Sequence, residues 1–349
     1  MFSLDPITKK KFARFRSIRR GWWSLICFTL LLILSFGAEL LISNRALFVK
    51  YEGKFYFPTY GSIYPGKTFG LDYDYETNYR DLKKVFLDQS SNNFVLLPIV
   101  PWSAYESDLK DGQYPPFAPS IDQRHFLGTD TTGRDILARL VYGFRTAISF
   151  SMLLLIATYS IGVSVGCAMG YFGGKFDIIL QRIIEIWSNV PFLYVIMIVS
   201  SIIVPRFGIL VAIMVFFDWI GMTWYMRTST YKEKAREYTS AAKALGASHF
   251  RIIFNHILPN VLSVLVTFIP FSVTGGIVSL TSLDYLGFGL PPPTPSWGEL
   301  LAQGTANLQA LWIVTSVTVA MIVVLTMVTF IGEAIREAFD PKQYSTFES

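Results

Sequence analysis

Cysteine, histidine and charge are all scarce in this sequence, and each scarcity removes a class of protein. Charged residues are 16% of the 349 and hydrophobic residues 52%, where ordinary soluble domains carry roughly a quarter charged. The bilayer is therefore the expected solvent. Cys27 and Cys167 both lie in apolar runs and are too few for a disulfide framework. His125, His249 and His256 stand far apart without metal-ligand spacing, which argues against a metal site or a hydrolytic triad. No cofactor and no catalytic residue is expected. The net charge of +5 falls in short basic blocks beside apolar runs, the pattern of a topology signal rather than of a nucleic-acid surface.

Apolar runs of about 20 residues predict six spans, at 22–42, 146–170, 180–204, 208–226, 260–283 and 309–332. The expected fold is an all-α polytopic membrane protein. Its parts are a basic N-terminus (1–21), a first span (22–42), an outer insertion with the segment leading into span two (43–145), a core (146–333) with a loop at 227–259, and a tail (334–349). Lys9 to Arg20 and the loop from Arg227 to Pro259 are rich in Lys and Arg. The positive-inside rule puts both in the cytoplasm, and six spans then put both termini there. YEGKFYFPTY and NNFVLLPIV in the insertion have the aromatic and β-branched content of strands.

One stretch, Gly61 to Thr68, fits the letters of a P-loop, but Pro58 interrupts the stretch before it and no helical period follows Lys67. A phosphate cradle needs that strand and that helix. Glu39, Glu185 and Asp218 lie within apolar runs, near their ends, where ionisable groups are functional candidates by default. Pairing with Arg45, Arg182 or Arg227 is the structural expectation for them.

The segment from Glu237 to Asn260 carries the most information. Tyr238, Ala241, Ala242 and Leu245 share one face of a short helix, Gly246 suits a left-handed helix end, and Ser248 can cap a second helix from Phe250 to Leu258. Pro259 suits the first turn of the next span. An Ala-lined apolar face standing in water needs a partner's groove.

The arrangement Ala241-Ala242, Gly246, His256-x-Leu258-Pro259 resembles the EAA loop of ATP-binding-cassette (ABC) importer permeases, with Ser240 in place of the usual Glu and His256 in place of Ile. HFLGTDTTGRD from His125 and LDYLGFGLPPPTPSWGE from Leu283 resemble the "C" permeases of dipeptide and oligopeptide importers. The long insertion, RFRSIRRGWWSL and IGEAIREAFDP are most similar to the Yej-type permeases for peptides and microcin C. The resemblance implies a non-enzymatic subunit of the bacterial inner membrane that forms half of a peptide path. Its implied partners are a homologous second permease, ABC ATPase subunits and a periplasmic peptide-binding protein. Ala241, Ala242, Gly246, His256, Leu258 and Pro259 then form the ATPase-coupling loop, and Pro295 and Trp297, read as exposed, belong to the docking face for the binding protein. An ion-coupled secondary transporter would instead show an inverted repeat and paired mid-membrane acids, neither of which is visible. A membrane-anchored enzyme would need a catalytic constellation that residues 43–145 lack. A relative carrying another solute, such as nickel, is the alternative within the family.

Overall fold

The computed structural model describes residues 6–88, 92–110 and 112–339. Helices dominate them: α1 (Pro6–Ser17), α2 (Arg19–Phe36), α3 (Tyr79–Asp88), α4 (Ile136–Phe172), α5 (Gly174–Ser188), α6 (Phe192–Ile202), α7 (Phe207–Lys234), α8 (Glu237–Ala244), α9 (His249–Arg251), α10 (Leu258–Tyr285), α11 (Trp297–Ala306) and α12 (Leu311–Phe339). Five of these (α2, α4, α7, α10, α12) are long and apolar enough to cross a membrane. The bent pair α5 and α6 makes a sixth if taken as one span.

That pair differs from the continuous helix expected at 180–204. Its two helices meet at 67°, with Pro191 at the start of α6, where a proline cannot donate the backbone bond that would continue α5. The direction of the neighbours shows that the pair crosses. A Cβ on Gly162 would meet Met222, one on Gly166 would meet Met226, and one on Gly170 would meet Thr230. Positions rise together on α4 and α7, so the two helices run parallel, and the chain between them must return across the layer. The four-residue spacing of these glycines lets the two backbones touch, which in lipid takes the place of hydrophobic association.

Other boundaries shift as well. The first helix ends at Phe36, followed by a 3-10 turn at Ala38–Leu40. The second begins at Ile136, inside the stretch expected to lead into it, because Asp135 caps it by accepting from the Ala138 N–H at 2.7 Å. α12 runs to Phe339, so the expected tail at 334 is still helix, and residues 340–349 lie outside the described residues. Phe15 packs with Ala334 and Ala338, and Arg20 pairs with Glu333. The start of α2 and the end of α12 thus share one end of the bundle, together with the loop between α7 and α10.

The insertion sits at the other end. Strands β1 (Phe48–Tyr51), β2 (Lys54–Tyr56) and β3 (Phe94–Leu96) form an antiparallel sheet in the order β2-β1-β3, with Val49 opposite Tyr56 and Val95. Glu52 and Gly53 both take positive φ in the hairpin turn, the twist that tight hairpins favour. On α3 the buried Tyr79, Leu82 and Phe86 form one stripe that closes a small core with Val49, Phe69 and Val95. The Tyr79 hydroxyl has no hydrogen-bond partner among the described residues, and burial raises its pKa.

Candidate functional site

The loop at the bundle's first end folds as its sequence suggests, with one inversion. α8 ends at Gly246, whose φ of +78° suits glycine, and Ser248 accepts from the Arg251 N–H at 3.3 Å to start α9. α9 passes through a π-helical stretch, Ile252–Ile257, directly into α10, which has Pro259 in its first turn. The inversion concerns Ala242. Its methyl is 9% exposed and packs in this chain's own cluster with Cys167, Tyr171, Met226, Ile252 and Ile257. Of the face expected to need a partner, the chain covers Ala242 itself, because α8 lies back on the ends of α4 and α7, while Tyr238, Ala241 and Leu245 stay exposed. Thr239 fastens it by donating to the Glu233 carbonyl at 2.8 Å, and Tyr238 donates to the Glu233 carboxylate at 2.6 Å. Burial and that carboxylate raise the Tyr238 pKa. What remains outward is Ala241, Leu245 at 88% exposure, Phe250 at 75% and Phe254. Phe250 and Phe254 stack at 5.8 Å between ring centroids. His256 is half-buried and its carbonyl accepts from Asn260.

At the insertion end, the two motifs flanking the membrane core turn out to be halves of one lock. Arg134 donates to Asp130 at 2.8 Å and to Glu299 at 2.7 Å, and the fully buried Arg139 pairs with Glu299 and lies 3.4 Å from Asp130. Burial works against the charge on Arg134, but the Asp130 and Glu299 carboxylates outweigh it and raise the pKa. Ser296 caps α11 by accepting from the Gly298 and Glu299 N–H groups, and itself donates to Asp284. His125 sits against Asp135 at 2.8 Å and stacks on Trp102 at 4.3 Å.

This geometry corrects the docking residues. Trp297 is 3% exposed; its indole N–H donates to the Leu140 carbonyl at 2.9 Å and its ring stacks on Phe144 at 6.0 Å. Pro295 is buried as well, and Leu286, Gly287, Pro292 and Pro293 are the exposed residues of that loop. A tryptophan needs a hydrogen-bond partner when buried, and here α4 supplies one, so neither Pro295 nor Trp297 offers surface to a second protein.

The intramembrane acids also pair differently. Glu185 bonds Arg182 as expected, but Glu39 pairs with Arg145 at 2.9 Å, Arg45 with Glu76, and Arg227 with Asp177 at 2.6 Å. Asp218 is left without a hydrogen bond or ion pair among the described residues. It lies near the middle of α7 rather than at an end, in a cavity of about 430 Å³ between α4, α7 and α10 that Thr158, Tyr159, Gly221, Ser272 and Gly275 also line. The Tyr159 and Ser272 hydroxyls bond each other at 2.8 Å.

Residues 162–343 match the family described as the binding-protein-dependent transport system inner membrane component. The chain belongs to that family. The permease is 39% identical to the inner membrane ABC transporter permease protein YejE of Escherichia coli (strain K12), over 98% of this chain and 99% of that protein. It is 36% identical to the peptidoglycan transport system permease protein YejE of Agrobacterium fabrum, over 97% and 94%. To the oligopeptide transport system permease protein OppC of Lactococcus lactis subsp. lactis it is 32% identical, over 75% and 93%. The insertion is thus shared along the full length of the Yej proteins. The ion-coupled and enzymatic readings fall away.

Lys67 needs no phosphate to explain it. It stands on a 3-10 turn (Gly66–Phe69) and pairs with Asp74 at 2.7 Å, both exposed. Surface pairs of this kind contribute about 1 kcal/mol at most. Lys67→Ala is expected to leave ATP-driven uptake by the assembled transporter within about twofold of wild type, measured in proteoliposomes; a collapse of ATP hydrolysis would restore the nucleotide reading. Sequence reasoning missed Arg134, Arg139 and Glu299 as a unit, since ion pairs joining residues 160 apart leave no local periodic signal.

Proposed function

We propose that this permease imports peptides, forming half of the path with a homologous second permease, and that the tip of the loop from Glu237 to Leu258 receives the motion of a separate ABC ATPase. The supporting observation is the outward Leu245, Phe250 and Phe254 on two short helices hinged at Gly246. Large apolar side chains grouped on an exposed loop mark an interaction site. The basic residues of this loop and of α1 put that end, and both termini, in the cytoplasm where an ATPase works. The insertion then lies in the periplasm, where a peptide-binding protein delivers substrate. Peptides are the solute because the relatives sharing most of the chain are named for oligopeptide and peptidoglycan transport. Ala241, Gly246 and the exposed aromatics are the contact and hinge positions; Ala242 and Leu258 hold the loop on the membrane core, half-buried His256 lies between them, and Pro259 starts the next helix.

Leu245→Glu tests this with least harm to the fold, because the side chain already stands in solvent. A carboxylate carried into an apolar docking groove costs several kcal/mol unless paired, so co-purifying ATPase is expected to fall about 100-fold or more while the permease elutes and melts as wild type. Gly246→Val is expected to act through the hinge instead, since a β-branched residue resists positive φ. If both variants hold the ATPase and import peptide at the wild-type rate, the loop is not the coupling element.

A further inference from the structure

We propose that Asp218 and the hydroxyls around its cavity bind the α-ammonium group of the peptide in transit, which rests on the peptide-import reading. Asp218 lies eleven residues into α7, about 16 Å along the helix, near the middle of a hydrocarbon layer roughly 30 Å thick. A carboxylate there is costly unless it faces a water-filled cavity or a counter-charge. The nearest cation of its own helix, Arg227, lies nine residues on, on the opposite face, and is held by Asp177 and Gln181, so no cation of α7 reaches Asp218 and its counter-charge is left to a guest in the cavity.

The cavity opens on the surface of the chain, where Asp218 itself is exposed, and its walls leave room for a guest. Gly221 and Gly275, on two of its three walls, have nothing within 4 Å of an added Cβ. Glycine inside a helix costs about 1 kcal/mol relative to alanine. In Gly162, Gly166 and Gly170 that cost is offset by helix contact, whereas at Gly221 and Gly275 it leaves open space. Thr158, Tyr159 and Ser272 line the same cavity and carry hydroxyl oxygens. An ammonium group offers three donors and one positive charge, which one carboxylate and neighbouring oxygens can satisfy. The volume of about 430 Å³ is within the range of small-molecule sites. A face with this many polar groups does not suit lipid; it suits the path.

The test uses the complete transporter in nanodiscs, without binding protein or nucleotide, and equilibrium dialysis of radiolabelled trialanine. Wild type is expected to bind it, with N-acetyltrialanine competing at least tenfold less well than unlabelled trialanine. Asp218→Asn is expected to weaken binding at least tenfold, and Asp218→Glu to stay within about threefold. Wild-type binding in Asp218→Asn, equal competition by the acetylated peptide, or no binding by a wild-type complex that still imports trialanine would each overturn the inference and leave peptide import standing. Loss of the second permease from Asp218→Asn would overturn it in favour of an interface role. A wild-type complex that imports no peptide when supplied with binding protein and ATP would instead remove the underlying reading of function.

Discussion

Glu299→Ala is expected to be among the most damaging single changes in this chain. Glu299 holds two guanidinium groups, those of Arg134 and Arg139, and Arg139 has no solvent exposure. With Glu299 gone, Asp130 alone faces both cations. Removing one partner from a buried ionic cluster costs about 3–5 kcal/mol, because the charge left behind has no water to turn to. For a chain of this length that corresponds to a fall in Tm on the order of 10 °C. The change also reaches beyond the pair. Glu299 lies in the first turn of α11, next to Trp297, whose indole anchors α11 to α4. Intrinsic fluorescence during thermal unfolding of the purified permease reports the loss, and Trp297 is a native probe of that contact. The double variant Arg139→Met/Glu299→Leu leaves Arg134 with Asp130 and is expected to recover more than half of the loss, since an apolar pair of similar volume carries no desolvation penalty. A Glu299→Ala protein melting within about 2 °C of wild type would show that the cluster does not hold these elements together.

Gly166→Leu is expected to prevent a folded permease from accumulating. A Cβ at this position would lie 2.5 Å from the Thr223 carbonyl oxygen, 2.7 Å from the Met226 Cβ and 3.0 Å from the Arg227 backbone N. Two of these are backbone atoms, which cannot turn away as a flexible side chain would. α7 must therefore move outward. Movement there separates Met226 from Cys167 and pulls Arg227 from Asp177, the bond that ties α7 to α5. Overpacking in a well-packed core costs about 1–3 kcal/mol, and more when backbones collide. In lipid no hydrophobic force between helices compensates. Size-exclusion profiles of a fluorescent fusion should show the monodisperse peak lost for Gly166→Leu and kept for Gly208→Ala, where an added Cβ meets nothing within 4 Å. A normal profile for Gly166→Leu would mean that α4 and α7 are not in contact at this level.

The contrast between these glycines and the coupling loop shows which features a sequence exposes. Apolar runs long enough for a bilayer declare themselves, because each must satisfy the solvent by itself. Gly246, Ser248 and Pro259 were legible for a related reason: a positive φ, a cap and a first-turn proline are decided by a few neighbouring residues. Strands β2 and β3 of the insertion followed from composition in the same way, though β1, which lies mostly before the stretch that showed it, and the order β2-β1-β3 did not.

By itself, then, the sequence determined the all-α membrane character, the position of five helices, the hinge and caps of the loop between α7 and α10, and the resemblance that places the chain in its family. The break at Pro191 is a local signal that the apolar run conceals; the tertiary structure decided the inward turn of Ala242, the burial of Trp297 and the pairing of Glu39 with Arg145. The physical reason is distance along the chain. A helix, a cap or a turn is chosen by residues within a few positions of one another, whereas burial and ion pairing are chosen by whichever surface arrives from tens to more than a hundred residues away. Asp218 marks the limit of local reading most plainly, because only the packing of α4, α7 and α10 shows that it lines a cavity and has no ion pair among the described residues.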